Sequence, residues 1–174
     1  MSQFSIVIIC RNEAGAIAKT LSSLQGLTDD IIVYDNGSTD GTQDLVRQFK
    51  VHLHEGSWEG FGKTKTKANQ LVKYDWILSL DADEAADEEL RQSLLQWNPG
   101  NDAIVYDILF KNFLGAKYLK YGEWGGDHHI RFFNKKFVQW DGAPVHEQLI
   151  IPANAVIRKL KGYVLHQTMK DIHD

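Results

Sequence analysis

The residues of this sequence best suited to metal chemistry are two aspartates that follow an apolar run in WILSLDADE, residues 76–84. Asp81 and Asp83 stand at the end of a predicted strand with one residue between them, so their carboxylates lie in one small region. Carboxylate oxygens are ligands of hard cations such as Mg²⁺ and Mn²⁺, which keep open positions for substrate phosphates. A simpler role, negative charge at a helix start, explains the later acids from Asp87 on. The pattern therefore predicts a divalent cation site at Asp81 and Asp83.

A second stretch, EGFGKTKTKANQ at residues 59–70, resembles a phosphate-binding loop because glycines, a lysine and a threonine precede an apparent helix. The loop of nucleoside triphosphatases has the spacing G-x-x-x-x-G-K-[ST]. Counting back five residues from Gly62 gives Ser57, and Gly56 lies one residue too far. The supposed loop would also follow the third predicted strand, with the acidic pair on the next one. A P-loop-like NTPase is therefore the least favoured interpretation.

The elements that must position these groups follow from the apolar pattern, which alternates between strand and helix periods over the first hundred residues. The predicted strands are 4–9, 31–34, 51–54 and 76–80, and the predicted helices are 13–25, a second that includes Leu45–Phe49, and 63–74. This order predicts an α/β fold with a Rossmann-like, mostly parallel sheet flanked by helices.

After about residue 100 the pattern changes to short strands joined by loops rich in Gly, Asn and Asp. The predicted strands are 103–110, 129–133, 137–140 and 147–151. We expect them to extend the same sheet in a mixed or antiparallel way, so that residues 1–174 form a single domain.

Polar residues follow three of the strands in the parallel half: Cys10–Glu13, then Asp35 and Asn36, then Asp81–Glu84. Ligands of open parallel sheets bind beyond the carboxyl ends of the strands, so we expect these groups to converge at one edge. A dinucleotide dehydrogenase also has an acid after its second strand, but it needs G-x-G-x-x-G after the first, where this chain has CRNEAG.

Composition excludes several other classes of protein. Of the 174 residues, 43% are apolar and 24% are charged, as in a soluble globular protein, and the formal charge of −4 argues against a nucleic-acid partner bound by bulk basic surface. Cys10 is the single cysteine, which excludes internal disulfides and fits a reducing cytosol. The apolar run at 4–10 is too short to span a bilayer and lacks the features of a signal peptide. We therefore expect a cytoplasmic protein.

Three segments, in order, resemble the family 2 glycosyltransferases of the GT-A fold, which use nucleotide-sugar donors. SIVIICRNEAGAIAKTLSSL is similar to their opening strand and helix, IIVYDNGSTDGT to their second-strand signature, and WILSLDADE to their metal-binding D-x-D segment. Asn36 is a mild departure, since the family often has Asp or Ser there. The resemblance covers most of residues 5–84 and implies the GT-A fold.

The second half resembles a narrower branch, the bacterial glycosyltransferases of lipopolysaccharide-core type. GDHHIRFFNKKFVQWDGAPVHEQL is similar to that branch's R-L-F followed by V-H-E, matched here by Arg131–Phe133 and Val145–Glu147. GYVLHQT places His166 where the branch often has a histidine. Relatives usually continue beyond the position of Asp174, so we expect a further C-terminal segment that carries membrane or acceptor contacts.

The resemblance implies a metal-dependent, inverting glycosyltransferase of cell-envelope polysaccharide synthesis. It would move a sugar from a nucleotide-diphosphate donor, expected to be a UDP-sugar, to a glycan or lipid-linked acceptor, with Mn²⁺ or Mg²⁺ as cofactor. Residues 1–100 would bind the donor and residues 101–174 would carry the acceptor and catalytic half. Asp35 would bind the base, Asp81 the ribose or metal, and Asp83 the metal. Further expected donor contacts are Cys10, Asn12, Glu13, Gly37, Lys63, Lys67, Asn69, Ala82 and Arg131.

Transfer to a hydroxyl requires a carboxylate that takes its proton. Glu147 is the first candidate, from the V-H-E match, and Asp127 is the second. His146 and His166 are candidates for a third metal ligand or a diphosphate contact. A non-catalytic nucleotide-sugar-binding module stays open as an alternative function. The segment FKNFLGAKYLKYGEW at 110–124 mixes aromatic residues with lysines, a composition that is compatible with a peripheral contact with the inner membrane surface.

Overall fold

The computed structural model describes residues 3–120 and 126–169, with the backbone alone for 168 and 169. Its helices are α1 (Ile17–Leu24), α2 (Thr42–Val46), α3 (Phe61–Gln70) and α4 (Glu88–Gln96). Its strands are β1 (Ser5–Cys10), β2 (Ile31–Asp35), β3 (His52–Glu55), β4 (Trp76–Asp81), β5 (Glu84–Ala86), β6 (Ile104–Leu114), β7 (Lys117–Tyr118), β8 (His128–Asn134), β9 (Gln139–Trp140), β10 (Leu149–Ile150) and β11 (Val156–Met169). Within these residues, no helix is long and apolar enough to span a bilayer.

One nine-stranded sheet has the order β3-β2-β1-β4-β8-β6-β11-β5, with β7 paired to β6. Strands β1 to β4 are mutually parallel, as predicted. Strand β8 runs antiparallel to both β4 and β6, and β11 is parallel to β6. Most strands of the sheet therefore run in one direction, and the mixed extension predicted for the second half is confirmed.

Two predictions about the second half need correction. Strands β9 and β10 do not extend the main sheet; they form a separate two-stranded sheet, because Trp140 and Leu149 pack over Phe133 and Val138. The long strand β11 was missed, since exposed Arg and Lys side chains and a bulge between Lys159 and Tyr163 break its apolar alternation.

Smaller corrections concern the ends of elements. Helix α1 begins at Ile17 rather than near residue 13, and α3 ends at Gln70 rather than Tyr74. The segment 110–124, for which a membrane contact was considered, contains the end of β6 and all of β7, and residues 121–124 lie outside the described part. Its Lys111 ammonium lies 3.9 Å from the centre of the Tyr163 ring.

Strand β1 is buried on both faces, which explains its unbroken apolar sequence. Phe4, Ile6 and Ile8 pack with α1, α2 and α4, whereas Val7 and Ile9 face α3 on the other side of the sheet. The two halves of the chain share this core: Trp76 of β4 packs against Trp97 with ring centres 4.9 Å apart, and Trp97 packs against Phe132 of β8 at 4.8 Å.

The glycine-rich stretch before α3 is explained by a close backbone contact. The amides of Phe61 and Gly62 donate to the carbonyl oxygens of Pro144 and Ala143 at 3.0 and 2.9 Å. A Cβ on Gly62 would lie 2.8 Å from the Ala143 nitrogen. The start of α3 therefore binds a loop of the protein, and the loop carries the V-H-E segment to the edge of the sheet.

We predict that Gly62→Ala lowers the free energy of unfolding, measured by urea denaturation. Alanine normally favours a helix over glycine by about 1 kcal/mol, but here its methyl group would overlap fixed backbone, at a cost of about 1–3 kcal/mol. Gly100→Ala is the control, because its Cβ would meet no atom closer than 3.8 Å. Equal stability of the two variants would contradict the contact.

Candidate active site

The carboxyl ends of β1, β2 and β4 meet at one edge of the sheet, as predicted. Cys10 is in register with Asp35, and Ile9 with Asp81. A cleft of about 440 Å³ opens at this edge. Of the predicted site residues, those that line it are Cys10, Glu13, Asp81, Ala82, Asp83 and His166. Residues from the ends of β1 and β4 therefore lie in the same cleft as His166 of β11.

Asp83 and His166 form the part of the cleft that suits a cation. His166 Nε2 lies 3.4 Å from Asp83 Oδ2, and the Gln167 amide donates to the Asp83 carbonyl at 3.2 Å. Burial lowers the pKa of His166, but Asp83, Glu84 and Asp81 outweigh it and the net shift is upward. A carboxylate and an imidazole on one wall are a suitable donor pair for Mn²⁺.

The described residues contain no group of three His, Cys, Asp or Glu side chains placed to hold a metal together. Mg²⁺ and Mn²⁺ sites often use one or two protein ligands and complete their shell with phosphate oxygens and water. Asp83 and His166 fit that kind of site. His146 is exposed, has a left-handed backbone (φ 56°) and does not line the cleft.

A buried lysine on α3 joins the two carboxylates that the sequence analysis assigned to donor and acceptor. Lys65 Nζ lies 2.7 Å from Glu147 Oε1 and 3.1 Å from Asp81 Oδ1. Its side chain is 2% exposed and its ammonium lies 4.8 Å from the centre of the Trp140 ring. Lys65 was not among the predicted site residues, although its place on the buried face of α3, with Thr64 and Ala68, was a usable signal.

Arg131 supplies a second cation beneath the cleft. Its Nη2 atom lies 3.1 Å from Glu84 Oε1 and 3.5 Å from Asp81 Oδ2. Burial alone would raise the pKa of Asp81, but Lys65 and Arg131 lower it to about 2. Burial raises the pKa of Glu84 to about 7; Arg131 opposes this rise and Asp81 adds to it. The two cations therefore keep Asp81 ionised at the cleft wall.

Asp35, the predicted contact of the nucleotide base, is fully buried, and its carboxylate accepts hydrogen bonds from residues that follow it in the chain. Oδ1 accepts from the Gly37 and Ser38 amides at 3.0 and 2.9 Å and from Gln43 Nε2 at 2.7 Å. Oδ2 accepts from the Cys10 thiol at 3.4 Å, and burial and Asp35 together raise the pKa of that thiol. A ligand would have to replace one of these partners.

Five residues of the cleft lining were not among the predicted contacts, namely Ile9, Arg11, Asn36, Trp58 and Phe61. Asn36 lines the cleft, donates from Nδ2 to the Gly56 carbonyl at 3.3 Å, and has a buried Oδ1 with no hydrogen-bond partner among the described residues. Trp58 and Phe61 pack edge to face with ring centres 4.7 Å apart, and both are substantially exposed at 42% and 39%. The sequence signal for this pair was the presence of two aromatic residues on either side of Gly60.

The remaining predicted donor contacts lie outside the cleft lining. Asn12 ties the first loop to the second, because Oδ1 accepts from the Thr39 amide at 2.8 Å. Lys63 is exposed, and Lys67 pairs with Glu59. Asn69 is buried on α3, and its Oδ1 has no hydrogen-bond partner among the described residues.

The two candidate bases line cavities other than the cleft. Glu147 lines a cavity of about 490 Å³ with Arg131 and Trp140. Asp127 lines one of about 380 Å³ that also includes Asp81 and His166. Both oxygens of Asp127 are engaged, with Asn112 Nδ2 at 2.9 Å and His129 Nε2 at 2.9 Å.

Comparison with known proteins gives the family. Residues 5–159 match the family model described as Glycosyl transferase family 2. The chain belongs to the family 2 glycosyltransferases.

Two curated relatives support this membership. The chain is 30% identical over 155 residues to an uncharacterized glycosyltransferase of Rickettsia typhi, which covers 80% of this chain and 49% of the relative. It is 33% identical over 106 residues to the lipopolysaccharide core biosynthesis glycosyltransferase LpsC of Rhizobium meliloti, 58% of this chain and 39% of LpsC. This family 2 chain spans between 31% and 49% of the length of its rickettsial relatives.

The fold of this family 2 chain is similar to that of S. aureus TarS in its crystal structure with UDP-GlcNAc. The TM-score is 0.54 at 22% identity, and the match covers 67% of this chain and 36% of TarS. The GT-A fold predicted from the sequence is confirmed.

We predict that Lys65→Met lowers the free energy of unfolding by about 3–5 kcal/mol, because it leaves two carboxylates beside a buried site with no shared cation. Urea denaturation followed by circular dichroism measures the change. Lys136→Met is the control, since it removes an exposed lysine that pairs with Asp75 at 2.7 Å on the surface. A loss no larger than that of Lys136→Met would contradict the role of Lys65.

Proposed function

We propose that this chain transfers a sugar, with inversion, from a nucleotide-diphosphate donor of the UDP type to a glycan or lipid-linked acceptor in cell-envelope synthesis. The single observation that carries the proposal is the meeting of Asp83 and His166, 3.4 Å apart, at the carboxyl edge of a family 2 sheet. The similarity to LpsC supports an envelope acceptor, and the UDP-GlcNAc bound to TarS supports the class of donor.

The nucleoside would lie against the ends of β1 and β2. Asn36 offers a buried amide oxygen without a partner among the described residues, which suits an N–H of a base. Asp35, the contact expected from the resemblance, would have to exchange a turn partner for the base, whereas Asn36 would not. Trp58 and Phe61 present exposed rings to the same cleft and would stack on the base or sugar.

The diphosphate would lie near Asp83 and His166, which would hold Mn²⁺ or Mg²⁺. When bound, the cation neutralises charge that builds on the departing diphosphate. Asp81 borders the same space and stays ionised through Lys65 and Arg131. The ammonium of Lys65 and the guanidinium of Arg131 also offset the negative charge of Asp81 and Glu84, so the anionic donor would meet less repulsion.

Glu147 would accept the proton of the acceptor hydroxyl. The acceptor oxygen forms a bond to the anomeric carbon while the bond from that carbon to the diphosphate breaks, and the nucleoside diphosphate leaves with the electron pair. Lys65 holds the Glu147 carboxylate at 2.7 Å, and the cavity of about 490 Å³ that Glu147 lines is large enough for a sugar ring. Attack opposite the leaving group inverts the anomeric configuration.

The alternative is a module that binds a nucleotide sugar without turning it over. The engaged state of Asp35, whose oxygens accept from its own turn, favours that alternative in one respect. Saturable donor binding with no product, even with glycan and lipid acceptors, would support the module rather than the enzyme.

We predict that Asp83→Ala lowers Mn²⁺-dependent release of UDP from a UDP-sugar by about 100-fold or more, because a cation supplies several kcal/mol of charge stabilisation. Product release is measured by mass spectrometry with Mn²⁺ or with EDTA. Asp44→Ala, on the exposed surface of α2, is the control. Full activity in Asp83→Ala would exclude Asp83 as a metal ligand.

We predict that Glu147→Gln lowers kcat by about 10²–10⁴-fold and leaves the Kd for UDP unchanged, because the amide cannot accept the proton. Steady-state rates and calorimetric titration with UDP measure the two effects. If Asp127→Asn gives this pattern and Glu147→Gln does not, Asp127 is the base.

A further inference from the structure

A continuous line of hydrogen bonds runs from the second candidate base to the candidate metal ligand. Asn112 Nδ2 donates to Asp127 Oδ2 at 2.9 Å, and Asn112 Oδ1 lies 2.8 Å from His166 Nδ1. The other ring nitrogen, Nε2, lies 3.4 Å from Asp83 Oδ2. Asn112 is fully buried between the two ends of this line.

The chemistry of these groups fixes the direction of each bond. A carboxylate only accepts, so the Asn112 atom that faces Asp127 is the NH₂ nitrogen, and the amide oxygen faces His166. An amide oxygen also only accepts, so His166 Nδ1 carries a hydrogen. In the neutral ring, Nε2 then has its lone pair free on the side of Asp83 and the cleft.

The sheet explains why these side chains meet. His166 of β11 is in register with Asn112 of β6, so both side chains emerge on the same face of adjacent parallel strands. The Phe110 amide donates to the Asp127 carbonyl at 2.8 Å, which holds Asp127 beside β6. The Phe110 ring also packs edge to face against His166, with ring centres 6.4 Å apart.

We propose that Asn112, oriented by Asp127, is a positioning residue that fixes His166 in the tautomer with Nδ1–H and directs the Nε2 lone pair to a divalent cation shared with Asp83. The divalent cation is part of the proposed function, so this part of the inference rests on that function. The tautomer itself depends only on the line of hydrogen bonds.

The inference gives Asp127 a role other than general base. Both of its oxygens serve neighbours, Asn112 and His129, and its effect on the reaction would pass through His166. Loss of the Asn112 acceptor would free His166 to carry its hydrogen on Nε2 and donate it to Asp83. That bond would occupy the two atoms that the cation needs.

The tautomer is read directly by ¹⁵N–¹H correlation spectra of the imidazole, recorded as the pH is raised until the ring nitrogen shifts report the neutral form. The His166 signals are assigned by their loss in His166→Gln. Wild-type protein is expected to show Nδ1–H, Asn112→Leu mostly Nε2–H, and Asp127→Asn a mixture. Titration with Mn²⁺ alone, followed by electron paramagnetic resonance, is expected to show affinity lower by about 10–100-fold in Asn112→Leu.

Asn134→Leu is the matched control, because Asn134 is also buried and donates from Nδ2 to an aspartate, Asp102, at 2.9 Å. It should keep the wild-type tautomer and Mn²⁺ affinity. An Nε2–H signal in the wild type, or unchanged tautomer and Mn²⁺ affinity in Asn112→Leu, would overturn the inference. If Asn112→Leu does not fold, Asp127→Asn, which keeps the side-chain shape, decides by the same two readouts.

The same measurements distinguish failure of the proposed function from failure of this inference. The expected tautomers and Mn²⁺ affinities with no release of nucleotide from any sugar donor would leave the inference standing and remove the transferase. The expected tautomers in a wild-type protein that binds no Mn²⁺, with or without UDP, would overturn the cation part of the inference.

Discussion

The burial of one ammonium group, that of Lys65, is the constraint on which the site depends. A buried charge is costly unless it is paired, and Lys65 is paired twice, with Asp81 at the end of β4 and with Glu147 on the loop after β9. The helix that carries it docks on the same loop through two backbone hydrogen bonds. One cation therefore fixes the distance between the strand end that carries Asp81 and the loop that carries Glu147.

The site needs both halves of the chain because strands from both halves pair in one sheet. The parallel strands β1, β2 and β4 end at the cleft, and β11 returns from the far end of the sequence to place His166 there. Arg131 is on β8, which lies between β4 and β6 in the sheet, and its side chain contacts Asp81 and Glu84. Lys65 lies beside Asp81 and Glu147, and Arg131 lies beside Asp81 and Glu84, so part of the negative charge that a donor would meet at the cleft is offset.

The sequence predicted the parallel half and its functional edge because both depend on local patterns: apolar runs for strands covered on two faces, and polar residues where those strands end. The pairing of Lys65 with Glu147, 82 residues apart, depends on packing and left only a lysine on an apolar helix face. The resemblance led to Asp35 as the base contact, whereas the unpartnered oxygen near that strand end belongs to Asn36. Strand β11 was hidden by exposed Arg and Lys residues, and the tautomer of His166 depends on a register that no local pattern contains.

The central claim is that the cleft at the carboxyl edge binds a nucleoside diphosphate together with a divalent cation. Calorimetric titration of the wild-type protein with UDP, first with Mn²⁺ and then with EDTA, tests it most directly. We predict saturable binding at one site with Mn²⁺ and an affinity at least about tenfold lower with EDTA. Equal affinity in the two conditions, or no binding of UDP in either, would contradict it.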